Sequence, residues 1–151
     1  MQRLIILLSL ALIASITASH LAIAQTDNPL YAEGERLAAA GDIKAALKTF
    51  EELTRAEPES HHAFTGLAGM QLLDQRYSDA VKSFQHAITL GDQSTGSFIG
   101  MGMAYLHMGQ LGPARAAFIE AKSRGVDNPA DLDQIIAWID TRQPSAQRNP
   151  H

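Results

Sequence analysis

The stretch Ala46-Leu47-Lys48-Thr49-Phe50 recurs as Ala80-Val81-Lys82-Ser83-Phe84 and as Ala114-Arg115-Ala116-Ala117-Phe118, each time 34 residues further along the chain. Other positions keep the same spacing, namely Gly34, Ala68 and Gly102; Leu30, Phe64 and Phe98; and Leu53, Ala87 and Ala121. A fixed period of this length indicates a stack of similar units, each too small to bury its apolar face alone.

Each unit is predicted to contain two helices joined by a short turn. In the first unit, Asn28 is a favourable N-cap, Pro29 suits the first helical position, and Pro58 ends the second helix. Gly41 and Asp42 form the turn between the two helices. We predict helices at Pro29–Ala40, Ile43–Ala56, His61–Leu73, Ser78–Leu90, Thr95–Met108 and Gly112–Ser123.

A seventh helix, over residues 129–141, is predicted to cover the end of the stack. It begins at Asn128-Pro129 and carries an apolar stripe, formed by Leu132, Ile135, Ile136 and Ile139. Trp138 lies beside this stripe, and we expect it to pack over the third unit. The alternative is an exposed binding anchor. Residues 143–151 are polar and contain two prolines, which predicts a disordered tail.

The composition fits one all-α domain. Of the 151 residues, 46% are apolar, and Ala-rich and Leu-rich stretches dominate over strand-like alternation. The formal net charge of −4 lacks the basic footprint of a nucleic-acid-binding protein. There is no cysteine, which excludes disulfides, thiolate metal ligands and cysteine nucleophiles.

The first 24 residues have the pattern of an export signal. A positive start at Arg3 precedes an apolar run from Leu4 to Ala14, and Ala22-Ile23-Ala24 fits a signal-peptidase site. We predict cleavage after Ala24 and a periplasmic or secreted protein. The alternative is an uncleaved membrane anchor, since residues 4–24 contain no charged residue and are just long enough to cross a bilayer.

The repeated residues resemble the tetratricopeptide repeat family over residues 27 to about 126. The family favours a small residue at position 8 of each unit, alanine at 20, an aromatic residue at 24, alanine at 27 and proline near 32. Leu53 replaces an alanine of this pattern, and Asp92 and Val126 replace prolines. The resemblance implies an all-α, right-handed α-solenoid domain over residues 25–142. Its repeats would span about 27–60, 61–94 and 95–128, and the helix at 129–141 would be the cap.

The same resemblance implies where a partner would bind. In the family, the first helix of each unit lines a concave groove. The positions that face it correspond here to Tyr31, Glu35, Thr65, Gly69, Leu72, Leu73, Ile99, Met103, Leu106 and His107. This lining is mostly apolar and contains no lysine or arginine, so we do not expect an acidic carboxyl-terminal tail as the ligand. Gly66, Gly69, Gly96 and Gly100 suggest that a client segment or a neighbouring helix approaches closely.

No pattern of catalytic, cofactor-binding or metal-binding residues emerges from the sequence. The glycine-rich run from Gly96 to Gly102 lies inside a predicted helix, without the preceding strand and the lysine of a phosphate-binding loop. His61 and His62 are adjacent, whereas two metal ligands on one helix face need a spacing of three or four. We therefore predict a non-enzymatic protein with no cofactor.

The sequence favours an exported adaptor or assembly factor that binds a protein or peptide client in an apolar groove. The alternative is a self-associating scaffold of the cell envelope, which would be a homo-oligomer. A cytoplasmic secretion chaperone with the same three hairpins conflicts with the export signal. The sequence predicts no nucleic-acid partner, and a membrane only if residues 4–24 remain attached.

Overall fold

The computed structural model describes residues 28–142, which form seven α-helices and no strand. The helices are α1 (Pro29–Ala39), α2 (Ile43–Ala56), α3 (His61–Leu73), α4 (Tyr77–Thr89), α5 (Thr95–His107), α6 (Leu111–Ser123) and α7 (Pro129–Asp140). The predicted export signal at 1–24 and the predicted tail at 143–151 lie outside the described residues. Within the described part, no helix is both long and apolar enough to span a membrane.

The observed helices differ from the predicted ones by a single residue at six ends. Tyr77 begins α4 instead of belonging to the turn, and Leu111 begins α6. The helices α1, α4, α5 and α7 each end one residue earlier than predicted, because the last predicted residue is a C-cap. The capping helix accordingly covers Pro129–Asp140 instead of residues 129–141.

Polar side chains cap four of the described helix starts, and Asn28 does so as the sequence predicts. The Asn28 side chain accepts a hydrogen bond from the Leu30 amide at 2.9 Å and donates one to the Glu57 carboxylate, which ties the start of α1 to the end of α2. Ser60 and Ser94 occupy the N-cap positions of α3 and α5, and the hydroxyl of each accepts from a backbone amide in the first turn. Such caps satisfy amide groups that have no partner inside the helix.

The repeated phenylalanines pack between consecutive units. The Phe50 ring lies against Gly34 of its own unit and Gly66 of the next one, so close that a Cβ atom at either glycine would overlap the ring. Phe84 makes the same contact with Gly100. Small residues at these positions therefore let a large aromatic side chain fill the space between units, which explains why glycine and phenylalanine share the 34-residue period.

Three clusters of buried residues run along the stack. The first joins α2 to α3 around Phe50 and Leu67, and the second joins units two and three around Phe84. The third cluster surrounds Phe118 and includes Leu132 and Ile139 of α7, both buried. The capping helix thus buries the last apolar face, which a terminal unit would otherwise expose. A bidentate ion pair between Arg115 and Asp140 holds α7 against α6.

Candidate functional site

The first helices of the three units pack side by side in the order α1, α3 and α5. This arrangement places them in one row, which the family resemblance predicts to be the inner side of the stack. We call the exposed surface of this row the inner groove. The ten residues that the sequence assigned to the groove lie on these three helices, and none of them is fully buried.

Three of the ten residues project most into solvent. These are Glu35, Leu73 and His107. Leu73 is 59% exposed, a large fraction for a leucine in the middle unit of a packed stack. The His107 ring lies parallel to the Tyr77 ring, with centroids 4.7 Å apart. The end of α5 is therefore held against the start of α4.

The larger groove residues are anchored at their base in the core. The Tyr31 ring meets Phe50 edge-on at 6.0 Å and His62 at 6.4 Å. Burial raises the pKa of Tyr31, and the nearby Glu35 carboxylate raises it further. Leu72 packs on the cluster around Phe84, while Ile99, Met103 and Leu106 pack on the cluster around Phe118. These side chains present a preformed apolar surface, because packing below restricts their rotamers.

Thr65 takes part in a polar network instead of pointing freely into the groove. Its hydroxyl lies 3.2 Å from the Asp92 carboxylate and 2.9 Å from the His61 carbonyl oxygen. Asp92 is 5% exposed and also accepts from the Ser94 amide at 2.9 Å and from the Ser97 hydroxyl. Burial acts to raise the pKa of Asp92, but the hydrogen bonds from Ser97, Ser94 and Thr65 together lower it. The network joins α3 to the start of α5.

The glycines of the groove helices have two different surroundings. Gly66 and Gly100 contact the rings of Phe50 and Phe84, so they serve packing between units. A Cβ atom placed on Gly69 or Gly96 would have no neighbour within 4 Å. Close approach of a neighbouring helix therefore explains the first pair and not the second.

A cleft lies between α5 and the capping helix α7, and it contains two cavities. The larger, about 440 Å³, is lined by residues that include Ile99, Val126, Asp131, Leu132 and Ile135. The smaller, about 320 Å³, is lined by Leu106, Gln134, Ile135 and Trp138. We call the two together the cap cleft. Two predicted groove residues, Ile99 and Leu106, line it, so it continues the inner groove to the end of the stack.

Trp138 is 44% exposed, which favours an exposed anchor over a side chain packed on unit three. The Arg142 guanidinium stacks on its ring at 3.9 Å. Cation–π contacts of this kind hold an aromatic side chain in place without removing it from solvent.

The inner groove is nearly free of positive charge. Arg36 is the sole lysine or arginine on α1, α3 and α5, and it forms an ion pair with Glu33 at 2.7 Å. His62, beside Tyr31, has a lowered pKa because of burial and repulsion from His61, while Asp92 acts in the opposite direction. Among the described residues, no group of three or more histidine, aspartate or glutamate side chains is arranged to hold a metal ion.

The family model described as a tetratricopeptide repeat matches residues 31–95. The described part of the chain has a tetratricopeptide-repeat fold. The matched segment runs from Tyr31 on α1 to the start of α5 and so contains the first unit and the second. A search of curated proteins gives no match.

Solved tetratricopeptide-repeat structures share the fold at low sequence identity. The type III secretion translocator chaperone SycD of Yersinia enterocolitica, in complex with a peptide of the translocator YopD, superposes with a TM-score of 0.69 at 17% identity, over 75% of this chain and 91% of that one. PcrH, in complex with the chaperone-binding region of PopD, has a TM-score of 0.69 at 20% identity, over 75% of this chain and 90% of that one.

A eukaryotic domain has the same fold. The second tetratricopeptide-repeat domain of human RPAP3, in complex with the HSP70 peptide SGPTIEEVD, superposes with a TM-score of 0.67 at 20% identity, over 74% of this chain and 92% of that one. Identities this low establish a common tetratricopeptide-repeat fold and leave the role of each residue to be argued from this chain.

Two features of this chain were not predicted from the sequence. One is the network around Asp92, although Asp92 stood out as a departure from the proline that the family favours. The other is the cap cleft, which the segment from Gly125 to Asn128 helps to line. The sequence predicted the apolar stripe of α7 but not the gap beside it.

Proposed function

We propose that this chain is an exported adaptor or assembly factor that binds a segment of a client protein in the inner groove. One observation carries the proposal. Apolar groove side chains on α1, α3 and α5 pack on the core clusters and stay partly exposed, and Leu73 at the end of α3 is exposed. Soluble proteins seldom leave such a surface uncovered unless it binds something.

The fold supports this use of the groove. Tetratricopeptide-repeat structures that superpose on this chain hold segments of other proteins, namely a YopD peptide, the chaperone-binding region of PopD and an HSP70 peptide. A rigid row of helices offers a long surface to a segment that adopts its structure on binding. We transfer from these proteins the general use of the fold and not their clients.

The charge of the groove restricts the kind of client. The HSP70 peptide bound by human RPAP3 ends in the acidic sequence EEVD. An acidic segment is best held by arginine or lysine side chains. The inner groove of this chain offers none that is unpaired, since Arg36 is bound to Glu33. We therefore propose an apolar client segment and not an acidic tail.

Export is proposed from residues 1–24. The positive Arg3, the apolar run and the Ala22-Ile23-Ala24 site support secretion through the inner membrane and cleavage before Gln25. Mass spectrometry of the protein from a fractionated native host tests this directly. A mature chain that begins at Gln25 in the envelope fraction supports export, whereas an intact Met1 in the cytoplasm contradicts it.

Photocrosslinking in the native host tests the adaptor role. A photoreactive amino acid is placed at Leu73 or Met103 in the groove, and at Lys48 on the outer helix α2 as the control. We expect one other protein to be crosslinked from both groove positions and not from Lys48. Crosslinks only between copies of this chain would instead establish the self-associating scaffold, and equal labelling from Lys48 would contradict a specific groove.

A further inference from the structure

The cap cleft has features that define a client more closely than the rest of the groove. Ile99 in the larger cavity and Leu106 in the smaller one are seven residues apart on α5. Seven residues of α-helix span about 10.5 Å. Ile135 of α7 lines both cavities, so the two lie next to each other along one cleft.

The rim of the larger cavity carries negative charge. Asp127 and Asp131 both line this cavity. Asp131 accepts a hydrogen bond from the Asn128 side chain at 2.9 Å, and neither carboxylate forms an ion pair with any described lysine, arginine or histidine. Asp133, on the same helix, is by contrast paired with Lys122 at 2.5 Å.

From this combination of two apolar cavities and an acidic rim, we propose that the cap cleft binds a basic, apolar segment of the client. Two apolar side chains of the segment, about 10 Å apart, enter the two cavities, and a lysine or arginine beside them pairs with Asp127 and Asp131. The proposal rests on the proposed function, because it assigns the chemistry of the client to one part of the same groove.

The spacing accommodates two conformations of the client. In a polyproline II segment, residues i and i+3 lie on the same face about 9 Å apart. In a helix, residues i and i+7 lie about 10.5 Å apart. A synthetic peptide with leucines at positions 4, 7 and 11, and lysines at both ends, contains both spacings. Because lysines stand at both ends, one of them can reach the acidic rim whichever direction the peptide takes in the cleft.

Trp138 provides the readout, since it lines the smaller cavity and is the single tryptophan of the chain. Its fluorescence is titrated with the lysine–leucine peptide, with the same peptide carrying glutamate in place of lysine, and with one carrying serine in place of leucine. We expect a saturable change with the lysine–leucine peptide and a dissociation constant at least about tenfold higher for the other two at low salt.

Charge variants decide whether the acidic rim is responsible. The double variant Asp127→Asn and Asp131→Asn should bind the lysine and glutamate peptides about equally, while its helical circular dichroism stays that of the wild type. The matched control removes the same two charges elsewhere, at Glu52 and Glu59, with Glu52→Gln and Glu59→Gln, and should keep the preference for lysine. A preference for lysine that survives in the first double variant would overturn the proposal.

The remaining outcomes separate this inference from the adaptor role. No binding of the lysine–leucine peptide overturns the basic segment, while crosslinking from Leu73 still decides whether the groove has a client. A third outcome is that Leu73→Glu abolishes peptide binding and the aspartate variants leave it unchanged. The peptide would then bind outside the cap cleft, and the adaptor role would stand. Concentration-dependent dimerisation that alters Trp138 fluorescence without any peptide identifies a second copy as the occupant, and also overturns the inference.

Discussion

At the scale of single residues, the turns within the three units show how the repeat is maintained and where it is broken. Gly41, Gln75 and Gly109 occupy equivalent positions, and all three have a positive φ, of 78°, 63° and 72°. Glycine adopts this left-handed conformation without a steric penalty, whereas a side chain makes it unfavourable. Gln75 is therefore a strained residue at a position that the other two units give to glycine.

Gln75→Gly should stabilise the protein by about 0.5–1 kcal/mol, since relief of the left-handed strain exceeds the greater chain entropy of glycine in the unfolded state. The reverse change in the third unit, Gly109→Gln, should destabilise it by a similar amount. Urea unfolding followed by circular dichroism measures both. A loss of stability on Gln75→Gly would show that the glutamine side chain makes a contact more important than the strain.

The buried Asp92 carboxylate should make stability depend on pH. Its hydrogen bonds lower its pKa in the folded state, so the stabilisation is complete above the pKa of the unfolded chain, about 4, and is lost as the pH falls through the lower folded value. Asp92→Asn should destabilise the protein by about 1–3 kcal/mol at pH 7, because an amide group then faces hydroxyl donors.

The difference in unfolding free energy between wild type and Asp92→Asn should therefore narrow as the pH falls from about 5 to about 2. Urea titrations at several pH values measure this difference and cancel most of the contribution of other carboxylates. A difference that stays constant across the range would mean that the charge of Asp92 does not contribute to stability.

At the scale of helices, the approach of consecutive units depends on a phenylalanine ring that lies between two small residues. Gly66 on α3 touches the Phe50 ring, while Gly69, one turn later on the same helix, faces open space. Both glycines reduce the intrinsic stability of the helix by about 1 kcal/mol relative to alanine. The structure gives a packing reason for Gly66, and the proposed client gives a reason for Gly69.

Gly66→Ala should destabilise the protein by about 1–2 kcal/mol, because overlap with Phe50 outweighs the gain in helix propensity. Gly69→Ala is the matched control and should stabilise it by about 0.5–1 kcal/mol. Thermal and urea unfolding measure both. If Gly69→Ala also weakens client binding, the client backbone occupies the open space above Gly69. Unchanged binding would show that the client does not use this space.

At the scale of the whole molecule, two rows of helices have different surfaces. The inner row has one paired arginine, whereas the lysines at positions 44, 48, 82 and 122 all lie on the second helices. Each row has an exposed aliphatic side chain at which the effect of a substitution on binding can be compared. Leu73 on α3 is 59% exposed, and Ile119 on α6 is 41% exposed. Because both are exposed, neither contributes much to folding.

Leu73→Glu should weaken client binding about tenfold or more, since a carboxylate would be desolvated in the apolar groove. Ile119→Glu adds the same charge on the outer row and should leave binding within about twofold of the wild type. Both variants should unfold within about 0.5 kcal/mol of the wild type. Binding is measured with the client that photocrosslinking identifies. Equal losses in the two variants would contradict an inner binding surface.

Much of the fold follows from local patterns in the sequence. The 34-residue spacing of Phe50, Phe84 and Phe118 predicts the units, and the N-cap Asn28 marks the start of α1. These features are predictable because helix periodicity and capping depend on residues that are near one another in the chain. The choice of the ten groove residues comes instead from the resemblance to the tetratricopeptide repeat family.

The sequence alone therefore determined the repeat and the helical hairpins. Only the tertiary structure decided which glycines meet a phenylalanine ring, that Thr65 reaches the buried Asp92, and that a cleft remains between α5 and α7. These features join residues of different units, at distances and angles set by side-chain packing across the stack. A periodic pattern specifies which face of a helix is apolar, but the gap between two faces depends on the shapes of all the side chains that meet there.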